Sequence, residues 1–159
     1  MKNPELSRIV KMLQNTFNGA AWHGASIMEV LEKITTNQAF HPSEHIHRIC
    51  ELVQHVIAWR IFAIKRLKGD AQYEVSQSED WKTFQNPDAT TWNEIKSELA
   101  KSQENLVDAL VKTSDDKLKD EVEGKAYDYY TLIHGVIQHD LYHLGEIALL
   151  ARELSQTDE

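Results

Sequence analysis

The sequence predicts an all-α protein folded as a four-helix bundle. Four long segments, at about residues 4–17, 44–68, 91–112 and 128–154, place apolar residues three and four positions apart, the spacing that lines one face of an α-helix. No segment shows the sustained alternation of apolar and polar residues that is typical of a half-buried strand. Long polar connections follow the first and second of these helices, and four amphipathic helices joined in this way favour a bundle.

The first main helix is predicted from Pro4 to Phe17, with an apolar stripe that contains Leu6, Ile9, Val10, Leu13 and Phe17. A second amphipathic piece follows at about residues 26–34. Gly19 and Gly24 lie between the two pieces. They predict a kink or a short break rather than a domain boundary.

The second main helix is predicted from about Glu44 to Lys68, after a polar loop at residues 35–42. Ser43 is the expected N-cap, because its hydroxyl can accept a hydrogen bond from a free amide of the first turn. Gly69 marks the end of the helix. The buried face has a histidine at its centre and consists of Arg48, Leu52, His55, Trp59, Phe62 and Arg66.

The connection at about residues 70–90 is long and polar, and a connection of that length usually crosses a bundle or covers a site. Thr91 and Glu94 have the spacing of a capping box, which predicts the start of the third main helix. The final helix follows another polar loop. The hydrophilic tail at residues 155–159 is expected to fray.

Composition limits the classes of function. The chain has 159 residues, and we predict one helical domain over residues 1–159. A net charge of -8 argues against a nucleic-acid partner, because phosphate binding needs a basic surface. The single cysteine, Cys50, excludes an internal disulfide. The N-terminus has no apolar signal segment and no stretch approaches a membrane span, so we expect a cytoplasmic protein without a membrane partner.

Two histidines lie one helical turn apart in the apolar stripe of the final helix. His139 and His143 share one face, with Cβ atoms about 5–6 Å apart, at positions that a bundle helix normally gives to apolar residues. Buried imidazoles need a hydrogen-bond or metal partner. If the second and fourth main helices face each other, His55 joins the pair. Three imidazoles then form an open metal site of the kind that catalytic zinc sites use.

The alternative for each of these histidines is a core residue bonded to a backbone carbonyl. A lone buried histidine favours that alternative, whereas a pair together with a third histidine on a facing helix favours the metal site. Imidazole ligands suit zinc, nickel, iron and copper alike, so the identity of the metal stays open.

Four side chains near these histidines have candidate roles. Asp140 points about 100° away from the preceding histidine, so we expect it to face a neighbouring helix rather than to act as a fourth ligand. Glu146 is expected to be exposed, with a contact to the site as the alternative. Trp59 is expected to pack in the core and to wall the site. Tyr142 faces either the pocket or an interface.

The remaining histidines are weaker candidates for the metal site. Three near the start of the second main helix are expected to face water: His41, His45 and His47. His134 lies close to the site or flanks it, and His23 lines a pocket mouth or serves as a structural cap. Arg48 and Arg60 are expected to pair with acidic residues that the sequence alone does not identify.

Three segments resemble motifs of the DinB/YfiT-like metalloenzymes. Residues 51–60 (Glu-Leu-Val-Gln-His-Val-Ile-Ala-Trp-Arg) resemble the family's second-helix motif. Residues 139–147 (His-Asp-Leu-Tyr-His-Leu-Gly-Glu-Ile) resemble the final-helix motif, which is fairly specific. Residues 22–26 (Trp-His-Gly-Ala-Ser) resemble, more weakly, the segment after the first helix. The three segments occur in the family's order, so the resemblance covers nearly the whole chain.

The resemblance implies a four-helix bundle with a divalent metal held by His55, His139 and His143, completed by water, and frequent homodimers. Family members with assigned activities include transferases that use low-molecular-weight thiols such as bacillithiol, mycothiol-dependent isomerases and metal-dependent hydrolases. We therefore expect a zinc, nickel or iron enzyme that acts on a small molecule, as a thiol-dependent S-transferase or a hydrolase. The alternatives are a non-catalytic metal-binding bundle with a stress-related or interaction role, and a helical scaffold without metal.

Overall fold

The computed structural model describes residues 3–42, 47–85 and 87–157. Within these residues the regular structure is helical, and the prediction of an all-α fold is confirmed. The helices are α1 (Pro4–Asn18), α2 (Ile27–Leu31), α3 (Thr36–Ala39), α4 (Ile49–Leu67), α5 (Gln77–Asp80), α6 (Ala89–Val111) and α7 (Tyr129–Thr157). A 3₁₀ turn at Asp115–Lys119 lies between α6 and α7. None of the helices in these ranges has both the length and the apolar character that a membrane crossing requires.

The four long helices form the bundle. Helix α4 packs against both α6 and α7, and α1 packs against the same two helices. Helices α4 and α7 are therefore direct neighbours. These are the second and fourth main helices that the sequence predicts, and their contact brings the histidine-bearing faces together.

A buried polar layer divides the apolar core into two clusters. One cluster includes Leu31, Trp92 and Ile147, and the other includes Leu13, Leu106 and Ile133. Between them lie three buried polar side chains from three different helices, of which the first hydrogen-bonds to the other two: Arg60, Gln103 and Asp140.

The buried layer is centred on an ion pair. The guanidinium of Arg60 donates to both carboxylate oxygens of Asp140, at 2.7 and 3.2 Å, and to Oε1 of Gln103 at 2.8 Å. The side chains of Arg60 and Asp140 are both 0% exposed. Burial raises the pKa of the Asp140 carboxyl, and the charge of Arg60 opposes that shift. The pair links α4 to α7, so Asp140 faces a neighbouring helix as expected.

Two helix starts differ from the predicted ones. Helix α4 begins at Ile49 rather than at Glu44, and the predicted cap Ser43 and Glu44 itself lie outside the described residues. Arg48 is the N-cap, and its backbone and guanidinium both donate to Glu51. Glu51 is thus the acidic partner that was predicted for Arg48.

Helix α6 begins at Ala89, two residues before the predicted start. The carboxylate of Asp88 accepts the amide N–H of Thr91 at 2.8 Å. The prediction of Thr91 and Glu94 as the capping box is wrong, because Asp88 already satisfies the first-turn amide. Helix α4 ends before Gly69 as predicted, and Gly69 has φ +85°, which favours glycine.

Short helices occupy the connections between the long helices. The second amphipathic piece forms α2, which ends at Leu31 rather than near residue 34, and α3 follows in the predicted loop at 35–42. Helix α5 lies within the 70–90 connection, where Ser76 accepts the amide N–H of Glu79 at 3.3 Å. This cap fixes the orientation of α5, whose last residue reaches the histidine site of α4.

Helix α7 extends further than predicted. Asp128 precedes it, and its carboxylate accepts the amide N–H of Thr131 at 2.8 Å. The helix continues to Thr157, so residues 155–157 of the predicted frayed tail are helical, while residues 158–159 lie outside the described part of the chain.

Candidate metal centre

The three histidines predicted as metal ligands meet at the interface of α4 and α7. His55 comes from α4, and His139 and His143 come from α7. One ring nitrogen from each histidine lies within 4.8 Å of those of the other two. The Nε2 atoms of His55 and His139 are 3.0 Å apart. Nitrogens bound to one zinc ion at about 2.0–2.1 Å lie about 3.3 Å from one another, so this spacing fits a single cation.

Carboxylates hold the outer nitrogens of two of the rings. Nδ1 of His55 lies 2.8 Å from Oδ1 of Asp80 and 3.2 Å from the Asp80 carbonyl. Nδ1 of His143 lies 2.6 Å from Oε2 of Glu146. Each contact favours the tautomer with its proton on Nδ1, which leaves the Nε2 lone pair free. Carboxylate partners of this kind orient metal-binding histidines in proteins.

Electrostatics favour the neutral form of two of the three rings. Burial, together with the nearby rings of His143 and His55, lowers the pKa of His139 to about 4. Burial also lowers the pKa of His55, although the contacts with Asp80 oppose that shift. Neutral imidazoles are the form that binds metal ions. Nδ1 of His139 is buried without a hydrogen-bond partner.

The donor set therefore fits a divalent cation. The Nε2 atoms of His55 and His139 face each other at 3.0 Å, and their lone pairs repel one another unless a proton or a cation lies between them. Asp80 and Glu146 favour free lone pairs on two of the three rings, and a cation accepts lone pairs from all three.

Two tryptophans wall the cluster. Trp81, the residue after α5, stacks on His55 with ring centroids 4.1 Å apart and an interplanar angle of 9°. Trp59 lies edge-on to His55 and His139, and its indole N–H donates to Oδ1 of Asp80 at 2.8 Å. Trp59 walls the site as predicted, but it is 37% exposed and so lies at the surface rather than in the core.

Comparison with protein families supports this assignment of the fold. The sequence model of the DinB superfamily matches residues 21–147, a range that contains His55, His139 and His143. This chain belongs to the DinB superfamily. It is similar to the uncharacterized protein YizA of Bacillus subtilis (strain 168), with 32% identity over 73 residues. That match covers 42% of this chain and 45% of YizA, so it spans less than half of the relative's length. No solved structure matches the chain.

In this DinB superfamily protein, Glu146 contacts the site, which the sequence had left open as the alternative to simple exposure. Its carboxylate contacts His143 while 42% of the side chain remains exposed. Tyr142 lies edge-on to His143, with ring centroids 5.0 Å apart, and is 66% exposed. Its side chain therefore lies mostly outside the cluster.

Among the residues that the structure describes, no further histidine joins the cluster. His134 packs on Tyr130 with ring centroids 4.3 Å apart and is not one of the clustered histidines. His23 and His41 are exposed, and His45 lies outside the described residues. His47 is 49% exposed at its side chain, as expected, but its ring also stacks on Trp81 at 3.6 Å.

Sequence reasoning missed Asp80 and Trp81, and it gave the contact of Glu146 to the site only as an alternative. Glu146 had a local signal, because residues three apart on a helix are neighbours. Asp80 and Trp81 had no such signal. They lie 25 and 26 positions after His55, in a connection whose path depends on the packing of the whole chain.

Proposed function

We propose that this DinB superfamily protein is a metal-dependent enzyme that acts on a small molecule, with a divalent cation held by His55, His139 and His143. The main observation behind the proposal is the convergence of three imidazoles from two helices. The carboxylates behind two of them add support, because carboxylate partners of this kind orient metal-binding histidines and raise their basicity.

A divalent cation at three imidazoles supplies a Lewis acid that lowers the pKa of a coordinated thiol or water. The protein's own residues prepare the site for this chemistry. Asp80 and Glu146 hold two imidazoles in the binding tautomer. Trp81 covers one face of His55 and excludes water from it.

The arrangement favours a thiol over water as the nucleophile. Asp80 and Glu146 both contact imidazole nitrogens, so they act in positioning rather than as free general bases. A thiol has a pKa of about 8.5, against about 15.7 for water, so it ionises at neutral pH with less assistance. In this S-transfer the thiol sulfur forms a bond to an electrophilic carbon of the substrate. The leaving group departs with the bonding electron pair, and the thiol proton passes to solvent.

The metal site is tested by metal analysis of protein purified without a histidine tag, since nickel resin can load an open histidine site. We expect one divalent ion per chain in the wild type. His55→Ala, His139→Ala and His143→Ala should each lose it. His134→Ala is the matched control, because it also removes a partly buried histidine of α7 but leaves the cluster complete. Stoichiometric metal in His55→Ala would contradict the proposal.

The reaction class is tested by combining low-molecular-weight thiols, including bacillithiol and mycothiol, with 1-chloro-2,4-dinitrobenzene, with and without added zinc, nickel or iron. Turnover that needs both thiol and metal supports S-transfer. Metal-dependent hydrolysis of 4-nitrophenyl acetate without thiol would identify water as the nucleophile. Bound metal without any turnover across both screens would instead support a non-catalytic metal-binding bundle.

A further inference from the structure

A cavity of about 260 Å³ opens beside His139, between α4 and α7. Its walls are largely apolar, with Trp59 and Phe62 on α4 and Leu132 and Val136 on α7. A larger cavity of about 550 Å³ lies along α4 and α6, but none of the three clustered histidines lines it. Among these two cavities, the smaller one adjoins the histidine cluster.

The cavity follows one face of α7. Thr131, Gly135 and His139 line it and are spaced four residues apart, so they share that face. Eight residues of α-helix extend about 12 Å. The cavity therefore runs from the exposed Thr131 to the histidine cluster, with Gly135 midway along its floor.

Gly135 keeps the middle of the cavity free of side-chain atoms. A Cβ built at this position has no heavy atom within 4 Å, so close helix packing does not require a glycine there. Glycine within a helix destabilises it relative to alanine. Gly135 therefore leaves space in the cavity that a larger side chain would fill.

Trp59 connects the cavity to the cluster. Its ring lies 5.6 Å from Phe62 and 6.2 Å from His139, measured between centroids. Its indole N–H is held by Asp80, the residue that also contacts His55. One carboxylate therefore fixes both an apolar wall of the cavity and an imidazole of the cluster.

We propose that this cavity binds an alkyl or aryl group of the substrate, which places the substrate's reactive atom at the histidine cluster. This inference rests on the proposed function and adds a substrate class to it. An apolar group in the cavity displaces water from apolar walls, which is favourable in proportion to the area covered. Its volume lies slightly below the range of about 300–1,000 Å³ for drug-sized ligands, so the bound group is small.

Hexanol and butanol are suitable probes, and amide NMR spectra of the metal-loaded protein provide a readout that does not depend on activity. We expect the Gly135 amide signal to shift saturably with hexanol and the Gly145 signal to stay in place. Two additional methylenes should tighten binding of hexanol over butanol by about 15-fold, at about 0.8 kcal/mol per buried methylene.

Gly135→Leu should fill the cavity and weaken hexanol binding by about tenfold or more. Gly145→Leu is the matched control, because Gly145 lies in the same helix, has the same free space at its Cβ and does not line this cavity. Its affinity for hexanol should equal that of the wild type. Gly135→Ala provides a milder variant, which should retain the fold and weaken binding less.

Equal hexanol affinity in the wild type and Gly135→Leu would overturn the inference. A change of oligomeric state in Gly135→Leu without loss of hexanol binding would do the same, because it would assign this surface to a contact between copies of the chain. If no preparation of the protein holds metal, the proposed function is refuted. Saturable hexanol binding by that protein would still support the apolar site. Metal-dependent turnover without hexanol binding would refute the apolar site alone.

Discussion

Breaking the buried ion pair between α4 and α7 should destabilise the protein strongly. In Asp140→Leu the guanidinium of Arg60 stays buried, with Gln103 as its hydrogen-bond partner and the ring of Phe17 5.0 Å away, but without a negative charge to pair with. Removing one member of a buried pair costs about 3–5 kcal/mol, because the remaining charge is desolvated without compensation. For a chain of this size, that loss lowers the melting temperature by about 6–20 °C.

Replacing the whole polar layer should recover most of that loss. Arg60→Met combined with Asp140→Leu removes both charges, but it leaves the buried Gln103 amide without a partner, at a cost of about 1–3 kcal/mol. Adding Gln103→Met removes that cost. The triple variant should therefore approach the wild type in stability or exceed it.

Urea denaturation of chelator-treated protein measures these differences without a contribution from bound metal. Glu104→Ala is the control for loss of a carboxylate, because its pair with Lys101 is about two-thirds exposed and its removal should barely move the midpoint. A loss below about 1 kcal/mol in Asp140→Leu would refute the reasoning. So would a triple variant no more stable than Asp140→Leu.

Three further predictions concern the metal centre. Asp80→Ala should weaken metal binding about tenfold, the lower end of the range of about 10–100-fold for such partners, because the backbone carbonyl of residue 80 still accepts from His55. In metal-free protein, the unfolding free energy should fall as the pH drops from about 6.5 to about 4, because unfolding lets His139 take up a proton that the fold excludes. Chelation should lower the melting temperature by about 5–11 °C for a metal held at 100 times its dissociation constant.

Each of these has its own control. Asp80→Asn keeps a side-chain oxygen that can accept from His55, so its metal affinity should recover in part relative to Asp80→Ala. Equal metal affinities in the wild type, Asp80→Ala and Asp80→Asn would refute the positioning role of Asp80. His139→Phe removes the titrating group, so the slope of stability against pH should become shallower, and an unchanged slope would refute the assignment. Chelation of His139→Phe should leave its melting temperature unchanged.

The helices and the histidine face follow from local spacing. Apolar residues three and four apart predicted α1, α4, α6 and α7, and the same spacing placed His139 and His143 on one face. Helix starts were less predictable. At α6, Asp88 and Thr91 both have side chains that can cap, and the choice depends on where the preceding loop arrives.

Pairing across the bundle was only partly predictable. The sequence indicated that Asp140 faces another helix and that Arg60 needs an acidic partner, but it did not join the two. They lie 80 residues apart, and their contact depends on the relative rotation of α4 and α7. Asp80 illustrates the same limit, since its approach to His55 depends on how the 70–90 connection folds back on the bundle.

The sequence by itself determined that the chain is helical and that its final helix presents two imidazoles one turn apart on a single face, because helical geometry relates residues three and four positions apart regardless of their surroundings. Only the tertiary structure decided that α4 lies beside α7, that His55 completes the cluster and that Asp80 and Trp81 reach it from a distant connection. Those contacts arise from the packing of whole helix faces, to which many residues contribute and which no short segment encodes.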